Sequence, residues 1–70
     1  MKKQLVQAMK TAQTLLIYYV DGDGHITERY IRVLEVKNNY ITAYCFWRKK
    51  VRTFSISGIL TAGRSGKRVI

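Results

Sequence analysis

Residues 40–56 read YITAYCFWRKKVRTFSI. Two runs of β-branched and aromatic residues flank a knot of cations, the pattern of two strands joined by a polar turn. Alternate positions in residues 40–47 separate into two faces. Ile41, Ala43, Cys45 and Trp47 form one; Tyr40, Thr42, Tyr44 and Phe46 form the other. Arg48-Lys49-Lys50 is a charged turn, and residues 51–56 are the returning strand. A four-residue loop, Arg48 to Val51, pairs Cys45 with Phe54 and Ala43 with Ile56. A three-residue loop pairs Tyr44 with Phe54 and Phe46 with Arg52. Because side chains alternate with a period of two, the two registers exchange faces. The longer loop is preferred, since it gathers Ile41, Ala43, Cys45, Phe54 and Ile56 into one apolar layer. Cys45 is then expected to be buried among apolar neighbours, where a thiol is inert.

Upstream, Ile26 to Lys37 is a long run of strand formers with imperfect alternation. Ile26, Tyr30, Leu34 and Val36 share one parity, whereas Ile31 and Val33 take the other. A strand that changes its buried face part-way is bent or bulged, which curls a small sheet toward a barrel. Asn38-Asn39 marks the turn after it. Asp21-Gly22-Asp23-Gly24 marks the turn before it, since Gly and Asp tolerate the positive φ of tight hairpins. Ile17-Tyr18-Tyr19-Val20 is a further strand. Residues 2–16 read as an amphipathic helix: Leu5, Met9, Ala12 and Leu16 recur at helical spacing beside Val6, Ala8 and Leu15, while Lys2, Gln4, Gln7, Lys10 and Gln13 fill the other face. Such a basic helix can lie on a membrane; packing across the open end or flank of the sheet is the stronger expectation. Ser57-Gly58 breaks the strand after Ile56, Ile59 to Ala62 is a short fifth strand, and 63–70 is a short basic, glycine-bearing tail.

One helix followed by about five hairpin-connected strands predicts a mainly β fold, a small antiparallel barrel in one domain spanning 1–70. A chain of 70 residues holds one modest core. Its hydrophobic fraction of 47% is that of a globular domain. No apolar stretch reaches the length of a membrane span, and none follows Met1-Lys2-Lys3 as an export signal requires. Cys45 is the single cysteine, so no intramolecular disulfide forms. That fits a reducing, cytoplasmic setting.

Thirteen Lys and Arg against four Asp and Glu give a net charge of +9. Charge of one sign steers partners of the other. Other chemistries fit poorly. Asp21, Asp23 and Gly24 hint at a calcium loop, but Tyr19 and Tyr30 stand where such a loop needs oxygen ligands. Gly66-Lys67 resembles the end of a phosphate-binding loop, but Thr61 and Arg68 break that motif. His25 lies on a turn and Cys45 on a core face, which leaves no nucleophile with an oriented base and no four-ligand zinc set. No enzyme activity, metal or cofactor is expected. The basic and aromatic interleaving remains. Arg48, Lys49, Lys50 and Arg52 follow Tyr44, Phe46 and Trp47, and Arg29 and Arg32 bracket Tyr30. Single strands are held by cations on phosphates and by aromatic faces under bases. The candidate ligand residues are therefore Arg29, Arg32, Tyr40, Tyr44, Arg48, Lys49, Lys50 and Arg52, although the aromatics would equally serve a core this small.

These segments also resemble the WYL domain. That family carries an aromatic-Tyr-Leu triplet, an Ala-Tyr step, and an Arg-Thr-Phe strand ending near an Ile. Here Asn39-Tyr40-Ile41, Ala43-Tyr44 and Arg52-Thr53-Phe54 stand in that order, with Thr27-Glu28-Arg29 and Ile17-Tyr18-Tyr19 resembling the earlier strands. The likeness spans roughly residues 5–60. Asn39 replaces the family's Trp, Ile41 its Leu, and Ser57-Gly58 its Asp-Arg, which removes one cation of the family's ligand surface. The resemblance implies an SH3/Sm-like barrel that senses nucleotides or nucleic acid, with Arg29, Tyr40 and Arg52 as ligand positions and Phe54 in the core. The family's usual helix-turn-helix has no counterpart here. The expected partner is thus single-stranded nucleic acid or a nucleotide. The alternative is a protein-docking module that uses the barrel edge or the helix face. Open strand edges are compatible with self-association.

Overall fold

The computed structural model describes residues 2–64. A helix, α1 (Lys2–Lys10), precedes five strands: β1 (Thr14–Val20), β2 (Ile26–Val36), β3 (Tyr40–Cys45), β4 (Lys50–Ser55) and β5 (Ile59–Arg64). A 3-10 turn, Ile56–Gly58, links the last two. The strands form one antiparallel sheet in the order β4-β3-β2-β1-β5. The tail expected over 63–70 lies outside the described residues beyond Arg64.

Leu15, Ile17, Ile31, Val33, Ile41, Ala43, Cys45, Phe54 and Ile59 fill the concave side of the sheet, closed over by Leu5 and Ala8 of α1. Full burial of one such aliphatic side chain contributes about 1.5–3 kcal/mol. The helix lies against β2, and Gln4 Nε2 donates to the Ala62 carbonyl of β5 at 2.7 Å. The sheet curls so that its β4 edge approaches β1. Tyr19 of β1 packs edge-on against Phe54 of β4, with ring centroids 5.1 Å apart, and the Ser55 N–H donates to Tyr19 Oη at 3.0 Å. The 3-10 turn then carries the chain to pair with β1. Gly58 is required in that turn, because a Cβ there would lie 2.9 Å from Tyr19 Cε1.

The helix is shorter than its periodicity predicts. Residues 2–16 were expected to be helical, but α1 stops at Lys10 and β1 begins at Thr14. Leu15 and Leu16 satisfy helical spacing and strand alternation equally; the barrel resolves the conflict, because as strand residues Leu15 and Ile17 are both buried. Ala12 turns the chain with a left-handed φ of 55°, and Gln13 N–H closes the end on the Ala8 carbonyl at 3.0 Å. Alanine is strained there and glycine is not. Ala12→Gly should therefore stabilise the fold by about 0.5–1 kcal/mol, seen as a rise of a few degrees in the melting temperature; a fall would place the helix end elsewhere.

The bulged central strand is present. The β2–β3 register shifts between Val33 and Glu35, so Leu34 is exposed while Val36 packs on the core. The hairpin register differs from both expected forms. Ile41 pairs with Phe54, Ala43 with Arg52 and Cys45 with Lys50, leaving a four-residue turn at 46–49. Lys49 closes it with a φ of 56° and an N–H donated to the Cys45 carbonyl at 2.7 Å. Relative to the expected pairing of Cys45 with Phe54, β4 slides by an even number of residues. The faces survive such a slip, so Ile41, Ala43, Cys45 and Phe54 are all buried. Trp47 does not join them. It leaves the strand for the turn and is 72% exposed.

Candidate functional site

The register places cations beside the core. On the concave face, Arg52 follows Val33 and Ala43 in one row, and Lys50 follows Ile31 and Cys45 in the next. One step further along β2 stands Arg29, where β3 has given way to the 46–49 turn. Arg29 is only 9% exposed, because its parity with Ile31 and Val33 turns it inward. Its Nε donates to Thr27 Oγ1 at 3.1 Å. Its Nη1 is buried without a hydrogen-bond partner.

Trp47 is the neighbour that this guanidinium does have. Arg29 Cζ lies 5.8 Å from the indole centroid, and Arg48 Cζ lies 4.7 Å from the same ring. Thr27, Glu28, Arg29, Tyr30 and Trp47 line an open cleft of about 380 Å³. A cation–π contact contributes about 0.5–2 kcal/mol. Removing a charge from water costs several kcal/mol, so the indole offsets only part of the burial. No carboxylate supplies the rest. Among the described residues the one ion pair is Lys37–Glu35, at 3.5 Å between exposed side chains. Glu28 accepts from Tyr18 Oη at 3.0 Å, and this hydrogen bond, with the nearby carboxylate charge, holds the Tyr18 hydroxyl above its ordinary value of 10.0.

The expected ligand residues do not form one patch. Arg29 and Arg48 meet at Trp47, and Lys50 and Arg52 share Arg29's face of the sheet. Lys49 shapes the turn. Arg32 pairs with Tyr44, and Tyr44 with Val51, across the opposite, outer face. There Tyr44 packs edge-on against Phe46, at 5.2 Å between centroids. Tyr40 lies at the far end of the hairpin, beside Lys2, Lys37, Asn38 and Asn39. Trp47, assigned to the core by alternation, is the site residue that sequence reasoning missed. Its signal was its place immediately before Arg48-Lys49-Lys50.

Asp21, Asp23 and His25 bring their ligand atoms within 4.8 Å of one another. Asp21 Oδ1 accepts the N–H groups of Asp23 and His25, each at 3.0 Å, and Gly24 has a φ of 85°. These are the bonds of a hairpin turn, as the residue types predicted. No helix among the described residues is long and apolar enough to cross a membrane.

No family model matches the chain, and no curated protein matches it. Among solved structures it is similar to part of proteasome accessory factor B/C (PafBC) of Arthrobacter aurescens, with a TM-score of 0.85 and 24% sequence identity over 96% of this chain and 11% of that one. The chain thus spans about a tenth of that protein's length. At this identity the likeness speaks for the fold alone. The chain therefore has the SH3/Sm-like fold, a small antiparallel β-barrel with an N-terminal helix, that a segment of PafBC also has.

Proposed function

We propose that this chain is a non-catalytic, WYL-like binding module for single-stranded nucleic acid or a nucleotide, working in a reducing, cytoplasmic setting. The observation that carries the proposal is Arg29 Nη1, a buried and permanently charged group with no partner, beside an open cleft. An anion entering the cleft supplies the missing hydrogen bonds, and charge-assisted bonds of this kind are among the stronger ones. The exposed indole of Trp47 offers a face for a base, worth about 1–3 kcal/mol per stacked base. Arg48, Lys49, Lys50 and Arg52 provide the surrounding positive field. A net charge of +9 favours encounter with polyanions over acidic spots on proteins.

The test is a titration of the whole chain with fluorescently labelled short single-stranded DNA, RNA and mononucleotides across a salt series. Binding should weaken steeply with salt, because each neutralised phosphate releases counterions. The double variant Lys49→Ala/Lys50→Ala should bind more weakly for every sequence, and its log–log salt slope should flatten by roughly 0.7 per lost phosphate contact. Absence of affinity for all of these ligands at low salt would falsify the proposal. The protein-docking alternative draws on exposed Val51 of edge strand β4; it predicts partner binding that salt hardly changes.

A further inference from the structure

Arg29 and Arg48 lie against one indole, at 5.8 and 4.7 Å from its centroid. Two like charges so placed repel each other, and among the described residues neither is in an ion pair. Arg29 Nη1 is buried and unpartnered, and Arg29 and Trp47 line the same cleft, so a ligand that reaches this guanidinium enters the cleft beside the Trp47 ring. That ring sits in a turn and is largely exposed, so few packing contacts hold it in place. The cleft rim carries Glu28, whose side chain is exposed and acidic.

We infer that the cleft receives a phosphate monoester attached to a nucleoside, the end of a strand or a free mononucleotide, in preference to an internal phosphodiester. This rests on the nucleic-acid function proposed above and specifies its ligand. Three features favour a terminal group. A monoester carries nearly twice the charge of a diester, and it has three oxygens free for hydrogen bonds, which matches two unneutralised guanidinium groups. A terminal phosphate has one covalent tether, whereas an internal phosphate brings chain on both sides, more than a cleft of about 380 Å³ accommodates. Glu28 lines the same cleft, so its carboxylate repels any further phosphate drawn in beside the first, and such a repulsive element selects against the wrong ligand. The base next to the bound phosphate stacks on Trp47. A cleft of about 380 Å³ is at the small end of ligand sites and suits one nucleotide.

The experiment compares hexathymidylate bearing a 5′-phosphate, a 3′-phosphate or hydroxyl ends, together with thymidine monophosphate and thymidine. Trp47 is the single tryptophan, so its fluorescence reports binding at this site directly. A phosphorylated end should bind about tenfold or more tightly than hydroxyl ends, and the monophosphate should bind where thymidine does not. Arg29→Gln should erase that preference. Glu28→Gln removes the carboxylate that lines the cleft while keeping an oxygen acceptor for Tyr18, and should narrow the preference by admitting internal phosphates. If the monophosphate competes as well as the oligomer, the ligand is a free nucleotide; if the oligomer is far tighter, it is a strand end. Both results support the inference. Equal affinity for phosphorylated and hydroxyl-ended oligomers overturns the inference and leaves nucleic-acid binding intact. No binding by any of them overturns both.

Discussion

Replacing Arg29 by Met is expected to raise the melting temperature and to weaken anion binding at the Trp47 cleft sharply. In the folded chain the Arg29 guanidinium is nine-tenths buried and paired with no carboxylate. It has one hydrogen bond, to Thr27, and a contact with the Trp47 ring. Those two interactions contribute about 1–3.5 kcal/mol together. The desolvation they must offset is several kcal/mol. Methionine keeps much of the aliphatic stem, fits irregular gaps and brings no charge. The substitution should therefore stabilise by about 1–3 kcal/mol, and in a domain of this size each kcal/mol raises the melting temperature by roughly 4–8 °C. Calorimetry and a binding titration on the same sample check both halves. A lower melting temperature would show that Arg29 is held for stability. A higher one with undiminished binding would move the ligand site away from Trp47. Gain of stability with loss of binding is the signature of a residue kept for function at a cost to the fold.

Phe54→Ala should unfold the domain at ordinary temperature. Phe54 is the aromatic that ties the β4 edge of the curled sheet to β1: it pairs with Ile41 on β3 and packs at a near-perpendicular angle against Tyr19 of β1. Truncating a buried phenylalanine costs about 3–5 kcal/mol. Total stability at about 0.05–0.15 kcal/mol per residue is only roughly 4–10 kcal/mol for a domain of this length. The loss is thus comparable with the whole. Tyr19→Phe is the graded companion. It keeps the ring contact and removes the acceptor of the Ser55 N–H, so about 1 kcal/mol should be lost. Urea denaturation followed by circular dichroism separates the cases. A cooperative, near-wild-type transition in Phe54→Ala would mean that the barrel closes without this aromatic pair.

The faces of the strands were legible in the amino-acid sequence because alternation is local. Ile41, Ala43, Cys45 and Phe54 belong to one layer in any register that differs by an even slip. Ile31 and Val33 against Leu34 and Val36 announced the bulge of β2 for the same reason. The turn at Asp21 to Gly24 was legible too, since Asp and Gly are chosen there by backbone geometry. Three features needed the tertiary structure. Leu15 and Leu16 fit both helical and strand spacing, and only the barrel's demand for Leu15 and Ile17 as strand residues ended α1 at Lys10. The β3–β4 register was undetermined, because even slips leave the faces unchanged; seating Phe54 against Ile41 and Tyr19 chose among them. That choice moved Trp47 out of the core and into a turn, over Arg29. The cations and aromatics were visible as a composition, but the site is a juxtaposition of β2 with the 46–49 turn. Alternation says which residues share a face; only closure of the barrel says which of them come within reach of each other.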